Sequence, residues 1–537
     1  MSVKVAANGM HDEEMDRRAV LESALGWAAM MGIVRSISQM GTGVAWADEA
    51  ASDGPPQAHA AKKPFSSDDI KDMARRLAAA DFSPQTVELP EPFNKLSYDQ
   101  YRDIRFKPDQ AIWRGEKLDT EIQLFPLGWL YDRPVEIWLV ENGEARKLNA
   151  DSRLFTLGPL VGKGPDEAPF GFSGFRIHGP INRADYLDEY AVFQGASYLR
   201  AVGRGENYGA SARGLAINTA RAGGEEFPYF RGFWIEKPTP GQPGIVVHAL
   251  LDSVSVAGAY RFLIQLGEST VMDVDVTLFT RKNIPHIGYA PLTSMYLTSP
   301  ANLRRLNDFR PGVHDSDGLA VLNGRGERLW RPLINHKTLQ ISAFVDKDPK
   351  GFGLAQRERD FHAYEDLEAH YERRPTVWVE PKGAWGEGVI ELIEIPIDVE
   401  IHDNIVVFWK PAKALDAGAQ YDFSYRLNWG ETVPAAWSGA WVSSTRVGQA
   451  KTAGSTLFVI DFAGPAVKEL RDMPVCDLTH NVGQTSNVVV QRNPEISGIR
   501  ASFELNPDGA ELVELRCALK AGDQWISESW MYRWTKP

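Results

Sequence analysis

The sequence predicts an all-β protein, with a large N-terminal β-sandwich and a smaller C-terminal sandwich. From about residue 98 onward, short alternating or β-branched runs are separated by Gly, Pro and Asn. None of these runs has a helical period, and many short strands at this spacing are typical of sandwich architectures. The clearest predicted strands of the large sandwich are residues 135–140, 244–251, 271–279, 338–345, 389–395 and 405–409. No repeat of fixed period is present, which argues against a propeller or a solenoid.

Length and composition limit the classes of protein further. The chain has 537 residues, enough for about two to four domains. Charged residues make up 24% and hydrophobic residues 43%, which is ordinary globular usage and excludes disordered, collagen-like and multi-span membrane classes. The formal net charge is −13, so nucleic acid is not an expected partner. The 16 Trp residues suit sugar faces, although composition alone favours their use as core filler.

The first element in chain order, residues 1–47, is expected to be a removable leader. Arg17 and Arg18 precede a moderately apolar run over residues 24–34, and residues 45–47 form a small-x-small cleavage pattern. Paired arginines before such a run are typical of a twin-arginine signal, which predicts export of the folded protein to the periplasm. An amphipathic N-terminal helix is the alternative.

Two helices are predicted within the β-rich chain. Residues 48–63 are rich in Ala and Pro and are expected to be flexible. The first helix is expected over residues 68–80, because Ser66 and Asp69 form a capping-box pattern at its start. A second helix is expected over residues 358–373, where aromatic and apolar residues recur before a proline.

The large sandwich is assigned to residues 64–430 and an immunoglobulin-like sandwich to residues 434–537. Strands of the second domain are predicted at residues 440–445, 456–462, 487–492, 499–505, 511–519 and 527–534. Cys476 and Cys517 both lie in it. A disulfide between them would stabilise the periplasmic protein by about 2–4 kcal/mol. However, a chain folded before export cannot depend on that bond, so a bridge and two isolated thiols both remain open.

Most signatures of known chemistry are missing. The sequence has no G-x-S-x-G elbow, no H-E-x-x-H, no C-x-x-C and no complete Walker motif. Serine-hydrolase, zinc-protease and nucleotide-binding functions therefore lose support. No cluster of ligands has the spacing that metal sites use, so no metal or cofactor is expected.

Carboxylates beside aromatic residues are the remaining chemical feature. Seven acids lie between residues 380 and 403, near Trp378 and Trp385, and Asp315 follows a Pro-Gly break. Cleavage of a glycosidic bond needs a proton donor and a second carboxylate. Solvated strand faces are the alternative, which composition alone favours. Asp403 precedes an apolar run, where a strand end would bury part of the carboxyl and raise its pKa.

Twelve short blocks carry a resemblance that extends from about residue 65 to the C terminus. They are residues 171–176 (GFSGFR), 195–198 (GASY), 211–216 (SARGLA), 226–228 (EFP), 248–253 (HALLDS), 290–295 (APLTSM), 314–316 (HDS), 330–333 (WRPL), 349–353 (PKGFG), 359–361 (RDF), 378–382 (WVEPK) and 403–406 (DNIV). In these blocks the chain resembles the family of periplasmic glucans biosynthesis proteins G and D. The leader resembles the D proteins, whereas residues 180–182, 233–236 and 381–383 resemble the G proteins, so the subtype stays open.

The resemblance implies a mutarotase-like carbohydrate-binding sandwich joined to an immunoglobulin-like domain. It also implies action on osmoregulated periplasmic glucans, whose backbone is β-1,2-linked glucose, since some members are anomer-inverting endo-β-1,2-glucanases or transglycosylases. By motif, Asp403 matches the general acid and Asp315 the general base, which acts through a relay of waters. Tyr371 and Glu400 match supporting positions around that site. Further candidates for sugar contact are Arg374, Trp378, Trp385 and Lys350.

Two functions from different classes follow from the sequence. The first is an enzyme that cleaves or rejoins β-1,2-glucan, with hydrolysis and transfer both open. The second is a non-catalytic glucan-binding factor that presents chains to membrane-bound glucan synthase machinery. The sequence favours the enzyme and makes no prediction of the oligomeric state.

Overall fold

The computed structural model describes residues 62–162, 171–239, 241–302, 306–434, 437–468 and 470–537. The expected leader and nearly all of the segment predicted to be flexible lie outside these residues. The α-helices of the described chain are α1 (Ser67–Ala78), α2 (Tyr98–Arg102) and α3 (Pro465–Lys468). Short 3-10 helices span Phe93–Lys95, Pro108–Gln110, Ser152–Leu154, Phe361–Ala363, Tyr371–Arg373 and Pro494–Ile496.

Strands are the main regular structure of the described chain. Those of the first half are β1 (Lys63–Pro64), β2 (Ile104–Phe106), β3 (Glu121–Pro126), β4 (Glu136–Glu141), β5 (Glu144–Lys147), β6 (Phe155–Leu157), β7 (Phe172–Arg183), β8 (Tyr186–Gln194), β9 (Tyr198–Ala201), β10 (Ser211–Arg213), β11 (Leu215–Ile217), β12 (Tyr229–Glu236), β13 (Ile245–Asp252), β14 (Val256–Gln265), β15 (Thr270–Thr280), β16 (Ile287–Ser294) and β17 (Tyr296–Thr298).

The remaining strands continue to the C terminus. They are β18 (Val313–His314), β19 (Gly318–Leu322), β20 (Arg328–Pro332), β21 (Gln340–Lys347), β22 (Gly351–Ala355), β23 (Thr376–Lys382), β24 (Glu387–Glu394), β25 (Ile405–Pro411), β26 (Gln420–Gly430), β27 (Trp441–Gln449), β28 (Thr456–Ala463), β29 (Val475–His480), β30 (Gln484–Asn493), β31 (Gly498–Asn506), β32 (Leu512–Ala521), β33 (Gln524–Trp525) and β34 (Ser529–Thr535). Every strand predicted from the sequence overlaps one of these, so the all-β prediction is confirmed. In the C-terminal region, strands β29 and β33 have no counterpart among the predicted ranges.

Two large sheets form the body of the molecule. Within the described residues, the long sheet has 16 strands in the order β1-β5-β4-β12-β13-β14-β15-β26-β23-β22-β19-β20-β34-β32-β29, with β33 paired to β32. The ten-stranded sheet runs β21-β24-β25-β16-β10-β9-β8-β7-β3, with β11 paired to β16. The main core cluster draws apolar side chains from both sheets, for example Phe175 and Leu199 from the ten-stranded sheet and Phe262 and Leu427 from the long sheet. The two sheets therefore pack face to face as a sandwich.

The long sheet continues into the C-terminal region. Strand β20 pairs in parallel with β34, with Leu329 opposite Ser529 and Trp330 opposite Trp530. A four-stranded sheet in the order β27-β28-β31-β30 contributes Phe458 to a second core cluster that also contains Trp530. Residues assigned to the two predicted domains thus share one sheet.

Helix α1 follows the sequence prediction closely. Its capping acid Asp69 accepts a hydrogen bond from the backbone N–H of Ser66 at 2.6 Å, so the capping box forms as expected. Ile70 and Ala74 are buried on the face that packs against Trp234 and neighbouring side chains of the long sheet. The predicted helix over residues 68–80 is confirmed within two residues at its end.

The helix predicted over residues 358–373 is wrong, because the segment forms two separate 3-10 turns. The Asp366 carboxylate accepts backbone N–H groups from Glu368 and Ala369 at 2.9 and 2.7 Å. Such local side-chain bonds compete with helical hydrogen bonding. Glu365 and His370 also adopt left-handed backbone angles, with φ of 55° and 46°, which a continuous right-handed helix does not allow.

The two cysteines lie on adjacent strands, Cys476 on β29 and Cys517 on β32. Both are free thiols in this structure, with their Sγ atoms 2.7 Å apart. The hydrogen bond with Cys476, together with burial, raises the pKa of the Cys517 thiol well above its ordinary value. The structure therefore matches neither arrangement left open by the sequence, because the thiols are unbridged but in contact.

Candidate functional site

Asp315 and Asp403 flank the same short stretch of chain, where β16 ends and β17 begins. The backbone N–H of Asp315 donates to the carbonyl of Met295 at 2.8 Å. On the other side, the backbone N–H of Asn404 donates to the carbonyl of Ser294 at 3.0 Å. Two acids that are 88 positions apart in the sequence are therefore held by adjacent residues of one connection.

Asp403 is buried beside an arginine. Its side chain is 7% exposed, and its Oδ2 lies 3.8 Å from Nη2 of Arg200 on β9. The burial expected for this carboxyl is therefore found. Tyr198, two residues before Arg200, has its pKa raised, chiefly by burial and further by Glu225 and Asp403, with Arg213 acting in the opposite direction. Asp403 thus belongs to a network of charged and phenolic groups.

Asn404 fixes the backbone next to Asp403. Its side chain is fully buried. Its Oδ1 accepts the backbone N–H of Tyr296 at 2.7 Å, and its Nδ2 donates to the carbonyls of Tyr296 and Ile395 at 3.0 and 2.9 Å. An amide with every such bond satisfied ties the start of β25 to β17 and to the end of β24.

Asp315 also lies beside an arginine, Arg374. Its side chain is 14% exposed, and its Oδ1 lies 3.6 Å from Nε of Arg374. Arg374 is in turn held by a hydrogen bond from its Nη2 to the carbonyl of Ala369 at 2.8 Å. Its guanidinium lies 5.4 Å from the ring centre of Tyr371, within the range of a cation–π contact.

Tyr371 and Glu400 are joined directly. The Tyr371 hydroxyl donates to Oε2 of Glu400 at 3.0 Å. Arg310 lies between two acids, with its Nη1 2.7 Å from both Glu400 and Asp366. Burial favours the neutral form of Asp366, but its hydrogen bonds from Ala369, Arg310 and Glu368 outweigh this and hold its pKa below the usual range. The sequence-predicted residues Asp315, Arg374, Tyr371 and Glu400 therefore form one connected chain of contacts.

The Asp317 carboxylate accepts hydrogen bonds from the backbone. Its Oδ2 accepts the N–H groups of Arg357 and Glu358 at 2.5 and 2.8 Å. The Oε1 of Gln356, just before them, accepts from Nδ1 of His314 at 3.1 Å, and its Nε2 donates to the carbonyl of Tyr371 at 2.9 Å. These bonds fix the segment that carries Asp315 against the segment that carries Tyr371.

Three of the predicted sugar contacts lie elsewhere. Trp378 is 3% exposed and belongs to the C-terminal core cluster. Lys350 is exposed, but it precedes β22 at the end opposite Gln356, about 20 Å away at about 3.3 Å per residue. Trp385 is half-buried, and its Nε1 donates to the carbonyl of Ser424 at 3.3 Å. The structure does not bring these side chains to Asp403.

The face of the ten-stranded sheet that points away from the core is polar near Asp403. In register across this face are Gln123, Arg176, Val192 and Arg200. Arg176 donates to Glu189 Oε2 at 2.8 Å and to Gln123 Oε1 at 2.7 Å. This outer face therefore offers fixed hydrogen-bonding groups on the Arg200 side of Asp403, as a polyhydroxyl ligand requires.

Sequence reasoning missed Arg200, Arg310 and Asn404. Arg200 lies in a stretch with no chemical motif and meets Asp403 across 203 positions. Arg310 pairs with Asp308 two positions away, and it also meets Glu400 across 90 positions. Asn404 had a local signal, because an Asn directly before an apolar strand often bonds nearby backbone.

Among the described residues, no group of three or more His, Cys, Asp or Glu side chains could hold a metal ion. In that same part of the chain, no helix has the length and apolar character needed to cross a bilayer.

Fold and site together define a β-sandwich protein with two arginine-paired carboxylates at one end of a polar sheet face. Residues 65–534 match the family model described as "Periplasmic glucan biosynthesis protein, MdoG". The chain is 51% identical over 474 residues to glucans biosynthesis protein G of Vibrio cholerae, covering 88% of this chain and 87% of the relative.

Two further relatives carry the same name. Identity to the protein of Shewanella frigidimarina is 51% over 476 residues, covering 88% of this chain and 85% of the relative. Identity to that of Rhodopseudomonas palustris is 48% over 484 residues, covering 90% and 96%. The chain therefore belongs to the MdoG family of periplasmic glucan biosynthesis proteins, and the predicted resemblance is confirmed.

Proposed function

We propose that this protein acts on the β-1,2-linked backbone of periplasmic glucans, as an anomer-inverting endo-β-1,2-glucanase or transglycosylase. The proposal rests on one observation above all. The backbone at Asp315 and the backbone next to Asp403 are bound to adjacent residues of one connection, the two side chains are 14% and 7% exposed, and each lies beside an arginine. Inverting cleavage of a glycosidic bond uses two carboxyl groups, one as the acid and one as the base.

The two acids take different roles in the proposed reaction. Asp403 protonates the glycosidic oxygen of the leaving sugar as the bond to the anomeric carbon breaks. Asp315 accepts, through a relay of waters, the proton of the water that attacks the opposite face of that carbon. In transfer, a sugar hydroxyl replaces the attacking water. Tyr371, Glu400 and Arg374 orient Asp315 and the substrate around it.

A second function has its own support. The relatives are named for glucan biosynthesis rather than for cleavage, which favours a binding factor that presents glucan chains to membrane-bound synthase machinery. The same polar sheet face would serve this role without chemistry at Asp403.

Incubation with linear β-1,2-glucan distinguishes these functions. The enzyme is expected to change the chain-length distribution, seen by product sizing, and to release products of inverted configuration, seen by polarimetry. Shorter products with new reducing ends indicate hydrolysis, and longer products indicate transfer. Glucan binding with no change in chain length would contradict the enzyme and support the binding factor.

Periplasmic location is part of the proposal, because the family description and the arginine pair both support it. Replacing Arg17 and Arg18 together by Lys is expected to retain the protein in the cytoplasm. Recovery of the variant from the periplasm would exclude the twin-arginine route.

A further inference from the structure

An aromatic cavity opens beside the Asp403 network. Its volume is about 210 Å³, and its walls include Tyr131, Tyr198, Phe227 and Tyr229. This space admits a single small ring. None of the candidate site residues from the sequence lines it.

The cavity adjoins the arginine that pairs with Asp403. Tyr198 and Arg200 are two residues apart on β9, so their side chains leave the same face about 6.6 Å apart. Tyr131, which also lines the cavity, is close enough to Arg200 to feel its charge: burial raises the pKa of Tyr131 to about 12, and the charge of Arg200 partly offsets that rise. Two walls of the cavity thus touch the surroundings of the proposed acid.

The walls are rigid. The Gln194 amide donates to the Tyr101 hydroxyl at 2.9 Å and to Ser173 Oγ at 3.0 Å. The carbonyl of Ala196 accepts the backbone N–H of Phe230 at 3.0 Å. Tyr131 packs against Tyr101, with ring centres 5.4 Å apart. A cavity whose lining is held in this way exists before a ligand arrives, which lowers the cost of binding.

The lining combines apolar faces with a few polar groups. Aromatic rings offer flat surfaces to the C–H faces of a sugar ring. Ser173 and Gln194 are polar groups in the wall, and Arg133 stands 5.1 Å from the ring centre of Tyr229 at the rim. Mostly apolar walls with few polar groups are typical of ligand sites. The position next to Arg200 and Asp403, where the proposed function places the glucan chain, makes a glucosyl ring the ligand that fits this chemistry.

We propose that this cavity is a subsite that binds one glucosyl ring of the glucan chain, on the Arg200 side of Asp403. The inference rests on the proposed function and extends it, because it adds a determinant of which chain segment is placed across the acids. Tyr131, Tyr198 and Phe227 supply the stacking surface. A chain too short to reach the cavity gains nothing from it.

Two variants test the subsite. Phe227→Leu removes an aromatic face with little change in volume, and Val135→Phe fills space at the lining. Tyr186→Leu is the matched control, since Tyr186 is 57% exposed and does not line the cavity. Binding of β-1,2-linked glucose oligomers of increasing length is measured by calorimetry, and the product lengths are determined. The melting temperature of each variant checks folding.

Both cavity variants are expected to raise Kd about tenfold for oligomers long enough to reach the cavity and to leave the shortest bound oligomer unaffected. Tyr186→Leu is expected to match the wild type at every length. If both cavity variants fold and keep wild-type Kd and product lengths, the subsite is wrong, whatever the activity. If Phe227→Leu does not fold, Val135→Phe decides alone. Length-dependent loss of binding in a protein that yields no products would support the subsite and contradict the catalytic proposal.

Discussion

The two ends of strands β22 to β24 have opposite character. At one end, Glu394 and Arg331 are 1% and 2% exposed and lie 3.0 Å apart, close to the segments that carry Asp315 and Asp403. At the other end, Lys350 is exposed and Lys382 is 40% exposed in its ion pair with Asp273. We call these the buried-charge end and the exposed-charge end. Buried, paired charges therefore lie at one end of these strands, and solvent-exposed charges lie at the other.

This difference shows that the fold places its buried ion pairs at the end of the strands that carries the candidate acids. At the exposed-charge end the partners are also distant in sequence, 38 positions for the hydrogen bond from the Gly386 backbone to Asp348 Oδ1 at 2.7 Å and 109 for Lys382 and Asp273, but Lys382 stays in contact with solvent. At the buried-charge end, Arg200 and Arg310 meet acids that lie 203 and 90 positions away, Asp403 and Glu400. Buried charges need partners already in place, so this end is pre-organised for a polar ligand.

The largest expected effect is on turnover. Asp403→Asn keeps the shape of the side chain but removes the proton donor. Turnover of linear β-1,2-glucan is expected to fall by about 10²–10⁴-fold, with glucan binding retained. Lys350→Ala, at the exposed-charge end, is the control and is expected to keep wild-type turnover. Equal activity of the Asp403 variant would remove the catalytic distinction between the two ends.

The next largest effect is on stability. Arg331→Met leaves Glu394 buried without its guanidinium and is expected to lower the free energy of unfolding by about 3–5 kcal/mol in urea titrations. Lys382→Met removes a half-exposed charge from Asp273 and is expected to cost less than about 1 kcal/mol. Similar losses in the two variants would show that the ends do not differ energetically.

Asn404 tests whether the buried-charge end depends on fixed backbone. Asn404→Ala leaves one buried N–H and two buried carbonyls without their side-chain partner, at an expected cost of about 2–3 kcal/mol. The backbone of Asp403 then loses its anchor, so turnover is expected to fall together with stability. Asn404→Asp, which restores one acceptor, is expected to recover part of the stability. Full turnover in a folded Asn404→Ala variant would show that the anchor is not needed.

The smallest effect is a difference in pH dependence. Burial raises the pKa of Glu206 to about 7, in the loop between β9 and β10. Hydrogen bonds from Arg426 and Lys382 lower the pKa of Asp273 to about 2. Folded protein binds more protons than unfolded protein at Glu206 between pH of about 4.5 and 7, so its contribution to stability falls as pH rises through this window. The contribution of Asp273 is present above about pH 4 and is lost as pH falls towards 2.

Urea titrations across pH check these opposite signs. Glu206→Gln is expected to flatten the loss of stability between about pH 5 and about pH 7, worth at most about 3 kcal/mol. Asp273→Asn is expected to flatten only the acid limb. If Glu206→Gln leaves the slope near neutral pH unchanged, Glu206 titrates as a solvated carboxyl.

Much of the fold could be predicted from local pattern. The strands at 244–251 and 405–409 match β13 and β25 closely because alternation and β-branched residues are read over a few positions. The helix over residues 358–373 was wrong, because aromatic spacing alone does not reveal side chains such as Asp366 that bind the backbone instead. Trp378 shows the same limit, since its type suits sugar binding but its position is core.

The sequence by itself determined the fold class, the first helix and, through the family resemblance, the two candidate acids. The tertiary structure decided which arginine meets each acid, which tryptophans are buried, and that an aromatic cavity opens beside Arg200. The physical reason is the distance along the sequence over which each feature is determined. Strand and helix patterns repeat every two or 3.6 residues and can be read locally, whereas partners such as Arg200 and Asp403 are set by the order in which distant strands pair within one sheet.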